Sequence, residues 1–279
     1  MPTWTETVSL TMEHFTAWKT NTKLVVPDSI PILYFGNSKK YQESKIKVMT
    51  VGLNPSDQEF PKRHKTQRFK YESLDINNSY DDDFTESYRE ILDSYFLNCP
   101  YNWFDDSFGD VLDGFGASYY KDAPITAVHT DIATPIPTSP TWSGIGTKDN
   151  DLYWQDHKKV KDNIAGEGLT IFRALIELLK PDIMFVSVQK KLLDRLPNEQ
   201  IVREEDGETL LEVLKKKDGT SRKKSYKVIL QRYSLAIDPA HKIALIYGEA
   251  AQTPFGLISN KSKHDIGEKA REWYQVQYK

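Results

Sequence analysis

Ile46-Lys47-Val48-Met49-Thr50-Val51-Gly52-Leu53-Asn54-Pro55-Ser56 reads as an apolar strand that stops abruptly at a polar turn. Val48 to Val51 are uncharged and mostly β-forming, and Gly52, Asn54 and Pro55 break the run. A central parallel strand is buried on both faces and delivers polar groups beyond its carboxyl end, where ligands of α/β sheets bind. Gly52 to Ser56 take that place. The turn has neither the spaced glycines and Lys-Ser/Thr pair of a phosphate loop nor the Gly-x-Gly-x-x-Gly of a dinucleotide site.

On either side of this stretch the pattern alternates between helix and strand. Leu10 to Trp18 reads as a short amphipathic helix and Pro31 to Gly36 as a short strand. Asp83 caps a helix whose apolar face carries Phe84, Tyr88, Ile91, Leu92, Tyr95 and Phe96, stopped by Cys99-Pro100. A second strand, Ile125 to His129, opens into polar residues through Asp131 and a Pro/Thr-rich loop from Pro135 to Trp142. A helix through Ile171, Phe172, Leu175, Leu178 and Leu179 ends at Pro181. Strand three, Ile183 to Val188, follows it, and Gln189-Lys190 opens a short helix. Strand four, Ile243 to Tyr247, precedes a turn from Gly248 to Leu257 and a last helix with Ile266, Ala270 and Trp273. This order predicts an α/β fold: a three-layer α/β/α sandwich on a four-stranded, mainly parallel sheet. The 279 residues read as a single domain with an N-terminal extension, 1–29, and an inserted hairpin at about 200–237.

Two segments are strongly basic. Phe60 to Lys70 holds five Lys/Arg, among them Lys62, Arg63, Lys65 and Arg68, with Phe60 and Phe69 beside them. Thr209 to Leu214 and Tyr226 to Leu235 are extended runs joined across Asp218-Gly219, a hairpin signal. Lys215 to Lys227 carries seven Lys/Arg, including Lys216, Lys217, Arg222, Lys223 and Lys224, against one acid. A solvated loop and a lysine-protected sheet edge are the plain readings; contact with nucleic-acid phosphates is the functional one.

The net charge of −3 argues against a general nucleic-acid coat but leaves room for such local patches. Charged residues make up 28%, and no apolar run reaches membrane-spanning length. Met1 to Phe15 is not a signal-peptide pattern. Cys99 is the only cysteine, which excludes disulfides, cysteine zinc sites and four-cysteine iron–sulfur clusters and predicts a cytoplasmic protein.

Gly52-Leu53-Asn54-Pro55-Ser56 resembles the first motif of the uracil-DNA glycosylase superfamily, in the Gly-x-Asn-Pro-Gly/Ser form of its mismatch-specific and single-strand-selective branches. The resemblance extends over roughly residues 30 to 274 in the order of elements. It implies hydrolysis of the N-glycosidic bond of a flipped-out base in DNA, without metal or other cofactor, leaving an abasic site. The implied role of Asn54 is to position the attacking water. Asp57 and Asp131 are the nearest carboxylates that would assist, with turn-capping as their plain alternative. Gly52 and Leu53 would line the base site, the Leu53 and Ser56 amides would hold base or phosphate, and Phe60 or Phe69 would stack on the base. Gln252, Phe255 and Leu257, in the turn after strand four, would contact DNA, with Phe255 or Leu257 entering the base stack.

The sequence departs from the family at two places. His129 stands where many members carry an asparagine that reads the uracil edge, and Gly248 to Pro254 replaces the usual His-Pro-Ser-type turn. With both altered, a modified pyrimidine becomes the expected substrate over plain uracil, for example a hypermodified cytosine of phage DNA. Thr134 to Trp142 would add hydroxyls and an aromatic ring around such a base. The alternatives are a catalytically inactive nucleic-acid-binding module of the same fold and an enzyme acting on free nucleosides.

Overall fold

The computed structural model describes residues 2–60, 68–71, 74–76, 79–120, 123–139, 141–142, 144–145, 157–196, 201–204, 207–248, 255 and 258–277. The protein is α/β. Its helices are α1 (Trp4–Trp18), α2 (Ser38–Glu43), α3 (Asp82–Asp93), α4 (Asp110–Phe115), α5 (His157–Leu179), α6 (Lys190–Leu193) and α7 (Asn260–Gln277). Its strands are β1 (Val48–Gly52), β2 (Ala127–Asp131), β3 (Ile183–Val186), β4 (Ile201–Arg203), β5 (Glu208–Lys215), β6 (Ser221–Leu235) and β7 (Asp238–Gly248). No described helix is long and apolar enough to cross a membrane. The chain divides into two compact units. One comprises 1–36, 52–101 and 129–179; the other comprises 37–51, 102–128 and 180–279.

In the first unit, α1 begins three residues from the chain start because Thr3 and Glu6 form a capping box, so it is longer than the Leu10–Trp18 segment expected. Its buried face presents Thr7, Val8, Thr11, Met12, His14 and Phe15. Phe15 joins Leu24, Val25, Ile136, Ile145 and Ile164 in one apolar cluster, with Trp18 and Trp142 packed on it. Asp81, not Asp83, caps α3, accepting from the Phe84 amide at 3.0 Å. Tyr88 of α3 straps the segment before residue 36. Its hydroxyl donates to the Pro31 carbonyl at 2.8 Å and accepts from the Leu33 amide at 3.1 Å. Pro31 to Gly36 forms no strand; only a bridge, Phe35 to His129, is made there.

The second unit holds most of the sheet, in the order β2-β1-β3-β7-β6-β4, with β5 paired to β6. β1, β3 and β7 run parallel, with Val48 opposite Ile183 and Ile183 opposite Ala244. β6 is antiparallel to β7 from Val228–Gly248 to Leu235–Asp238, and β4 and β5 are antiparallel to β6. The sheet is therefore mixed and seven-stranded, and the expected four-stranded, mainly parallel sheet with a separate hairpin is corrected. β6 is a 15-residue strand whose Tyr226, Val228, Leu230, Tyr233 and Leu235 are buried, so its apolar run finds cover by pairing along β7. The Asp218-Gly219 turn forms as its sequence predicts. Gly219 has φ +83°, and Asp218 accepts from the Thr220 amide at 2.9 Å.

Helices α4 and α7 meet in this unit at two glycines. A Cβ on Gly267 would lie 2.1 Å from the Val111 carbonyl oxygen, and one on Gly114 would lie 2.1 Å from the His264 carbonyl oxygen. Gly267→Ala forces the two backbones apart. It should cost at least about 2 kcal/mol, read as a lower midpoint in urea unfolding at an unchanged slope.

Candidate functional site

β1 lies between β2 and β3 in the sheet although it precedes both in sequence. The chain thus reverses its direction of travel across the sheet at the carboxyl end of β1, the switch point at which α/β folds form ligand crevices. The residues that follow, from Gly52 onwards, belong to the first unit, as do His129 to Asp131 at the end of β2.

Backbone hydrogen bonds join these two post-strand segments. The carbonyls of Gly52, Leu53 and Pro55 accept from the amides of Ile132, Ala133 and Thr138 at 3.1, 2.9 and 3.2 Å. The Pro135 to Thr138 stretch is buried because its polar groups are satisfied on both sides: Val26 and Ile32 donate to the carbonyls of Pro137 and Pro135. At the centre, Asn54 Nδ2 donates to the Pro55 carbonyl and to Thr138 Oγ1, each at 2.8 Å. A carbonyl only accepts, so the NH₂ end of the amide is fixed in orientation. Both its donors are used, and Oδ1 has no hydrogen-bond partner among the described residues.

Gly52 is required by close approach. A Cβ there would lie 2.4 Å from Asp131 Oδ1 and 2.9 Å from His129 Nε2. Both side chains therefore cross the end of β1, buried, with 3.6 Å between His129 Nε2 and Asp131 Oδ1. The His129 ring packs on Phe35 at 5.6 Å.

Glu59 was not among the residues singled out from the sequence. It closes the single 3₁₀ turn after Ser56, whose hydroxyl caps that turn through the Gln58 amide. Glu59 is 4% exposed, and its Oε2 accepts from the Tyr95 hydroxyl at 2.5 Å. Burial pushes its carboxyl up to about 7, against the lowering effects of the Tyr95 hydrogen bond and the Arg68 charge; the Asp131 charge raises it further. Tyr95 itself is pushed well up, first by burial and then by Glu59. His14 was missed as well. Its Nδ1 pairs with Glu167 Oε2 at 2.5 Å and its Nε2 with Thr134 Oγ1 at 3.0 Å, and burial lowers its pKa. Thr134 Oγ1 also accepts from the Ile136 amide at 3.1 Å. A polar histidine on the apolar face of α1 was the only sequence signal for this pair.

The remaining residues are placed as follows. Asp57 is exposed and accepts from the Gln58 side chain at 3.2 Å. Phe69 is buried against Phe35, Tyr95 and Phe60 at 6.0, 4.9 and 5.8 Å. Stacking on a base is thus corrected for Phe69, because leaving that cluster would cost about 2 kcal/mol or more. Phe60 is half-buried on top of it. Arg68 donates from Nε to the Gln58 carbonyl at 2.9 Å and from Nη1 to the Cys99 carbonyl at 2.5 Å, which makes it a clamp between two loops. Thr134 and Thr138, expected to face a bulky base, are buried and engaged with His14 and Asn54. In the second unit Phe255 is buried against Phe108 and Phe185 at 5.6 and 6.4 Å, so it is a core residue and not a wedge. Lys216, Lys217, Lys223 and Lys224 are exposed at the hairpin. Arg222 is half-buried, over the Tyr226 ring at 5.4 Å, and donates to the Lys215 carbonyl. Lys62, Arg63, Lys65, Gln252 and Leu257 lie outside the described residues. Among the described residues, His264, Asp265 and Glu268 of α7 are the one group with metal-ligand spacing, half-exposed to exposed.

No family model matches the chain, and no curated protein or solved structure matches it.

The raised carboxyl of Glu59 has a thermodynamic signature. Its folded-state value lies above the unfolded one, so its contribution to stability is complete below about pH 4.5 and is lost as the pH rises towards 7. Glu59→Gln lacks this loss. Relative to the protein with Glu59, it should gain up to about 3 kcal/mol between pH 4.5 and pH 8, measured by urea unfolding across that range.

Proposed function

We propose that the protein is a monofunctional DNA glycosylase, which hydrolyses the N-glycosidic bond of a flipped-out pyrimidine and leaves an abasic site. The observation that carries this reading is the state of Asn54: its amide nitrogen is fully used in fixing the turn, and its oxygen is left as an acceptor at the switch point of the sheet. Such an oxygen holds a water by one of its protons and aims a lone pair of that water at the anomeric carbon. Cleavage passes through an oxocarbenium-like sugar and an anionic base, so a held water and hydrogen bonds to the departing base are what the site must supply. His129, buried beside Gly52 and Asp131, is the candidate reader of the base edge. A base must leave the stack to meet these groups.

On this reading β2, β1, β3 and β7 are the four strands of the superfamily's three-layer core, and β4 to β6 extend it. The preferred base is a modified cytosine, as in phage DNA, over uracil, on the strength of His129 and the altered turn after β7. The exposed lysines of the β5–β6 hairpin supply phosphate contacts, and DNA is the partner.

Incubation with DNAs containing uracil or substituted cytosines, followed by alkali, should cleave the strand at the released base. Asn54→Ala should slow single-turnover release at least about tenfold, near 1.4 kcal/mol of barrier. No cleavage of any DNA in the set, alongside tight binding, would identify an inactive binding module instead. Replacing Lys216, Lys217 and Lys223 by Gln should weaken DNA binding and flatten the slope of log K against log salt by ~2–3. An unchanged slope would leave the hairpin as a solubilising edge.

A further inference from the structure

At the end of β2 the heads of Asp131 and His129 rest against Gly52. A Cβ on that glycine would lie 2.4 Å from Asp131 Oδ1, 2.9 Å from His129 Nε2 and 3.1 Å from His129 Cε1. The Phe35 ring packs on the His129 ring at 5.6 Å. Both polar heads are thus set at the carboxyl end of β1. Oδ1 and Nε2 are 3.6 Å apart, beyond a direct hydrogen bond, so the Asp131 carboxylate keeps its capacity to accept.

The Asp131 side chain is 5% exposed and accepts no hydrogen bond from the described residues. A carboxylate shut away from water without donors is unfavourable, and a group that donates to it offsets the penalty. This carboxylate borders the Asn54 turn. The Gly52 and Leu53 carbonyls accept from the amides of Ile132 and Ala133, the two residues that follow Asp131. Asn54 comes two residues after Gly52, so their Cα atoms are at most about 7 Å apart. That span is comparable to a pyrimidine measured from its glycosidic bond to the substituent at position 4, directly across the ring. A base whose glycosidic bond faces the Asn54 turn therefore carries that substituent to Asp131.

We infer that Asp131 is the specificity-determining residue of the site, accepting a hydrogen bond from the exocyclic amino group of a cytosine-type base. The inference rests on the glycosylase reading above and assigns its choice of base to one side chain. An ionised carboxylate only accepts, so the base must donate to it. Cytosine carries an amino group with two N–H donors at position 4, and uracil carries an oxygen there. The N–H of uracil, at ring N3, lies between two carbonyl oxygens, so a carboxylate drawn to it meets their lone pairs as well. Acceptance from the cytosine amino group is the contact that acidic side chains make with that base, and the charge of the acceptor strengthens it. Gly52 belongs to the same device, because a side chain there would occupy the place of the Asp131 head.

The test is single-turnover base release from paired oligonucleotides that carry the same 5-substituent, hydrogen or hydroxymethyl, on cytosine or on uracil. Asp131→Asn keeps the shape of the side chain and can turn an NH₂ towards the uracil oxygen. The ratio of cytosine to uracil release should therefore fall at least about tenfold. A merely structural lesion lowers both rates together and leaves that ratio in place. Where Asp131→Asn folds poorly, the unsubstituted protein decides the matter on N4,N4-dimethylcytosine, which has lost both amino hydrogens. Its release should be at least about tenfold slower than that of the parent base, and equal release overturns the role of Asp131. That role is also overturned, with the glycosylase reading intact, by a ratio that Asp131→Asn moves less than about threefold or by release confined to uracil. No base release by the unsubstituted protein from these DNAs or any other substituted cytosine overturns both.

Discussion

Three backbone hydrogen bonds between the turn after β1 and the segment after β2 are the constraint on which the candidate site depends. They fix the carbonyls of Gly52, Leu53 and Pro55 to the amides of Ile132, Ala133 and Thr138. Once that register is set, Thr138 has to lie beside Asn54, and Asp131 and His129 have to cross over Gly52. The glycine is thus a condition of the pairing, since any side chain at residue 52 would occupy the place of the Asp131 carboxylate. Behind the second segment, Gly168 of α5 has the same function: a Cβ there would lie 1.9 Å from the Ala133 carbonyl oxygen. His14 adds a side-chain tie at Thr134. The loop is long and rich in proline, yet its buried part is tied like a strand, through the Pro135 and Pro137 carbonyls and the Thr134 and Thr138 hydroxyls.

The same organisation explains which parts of the molecule were legible in the sequence. The strand Val48 to Gly52 and its polar turn are local events, set by β-forming residues followed by Gly52 and Pro55, and they appear where the pattern puts them. The start of β3 follows equally from a local run, whereas β2 lies two residues later than the Ile125 to His129 expected, because Thr130 and Asp131 extend the strand past its apolar part. The sheet's composition was not legible, because β6 returns to β7 through Ala236-Ile237, a tight turn with none of the Gly, Asn or Asp residues that announce one. The basic tip of the β5–β6 hairpin, with its clear Asp218-Gly219, drew the eye to a separate insertion. Glu59 was illegible for a different reason. Nothing in Ser56-Asp57-Gln58-Glu59 distinguishes it from its acidic neighbour Asp57. What buries it is Tyr95, 36 residues away, held in place by the aromatic packing of Phe35 and Phe69.

That packing also revises the division of labour among the aromatic residues. Phe69 and Phe255 suggested stacking surfaces because each lies in a polar or glycine-bearing segment. Both prove to be core residues, Phe69 against Phe35 and Phe255 against Phe108.

The β5–β6 hairpin is braced near its root by α7. Trp273 donates to Glu208 at 3.0 Å near the root of the hairpin, and the Arg232 guanidinium lies over the Trp273 ring at 5.4 Å. A two-stranded ribbon alone in water is marginally stable and swings. Held to a helix at its root, this one has part of its conformational entropy removed when the chain folds, so less is left to lose on meeting a ligand. The lysines are thereby carried on a ribbon whose root has a set place in the fold. On the DNA-binding proposal, a polyanion able to lie across that root-fixed ribbon is favoured over one of equal charge that cannot, which adds shape to an electrostatic attraction.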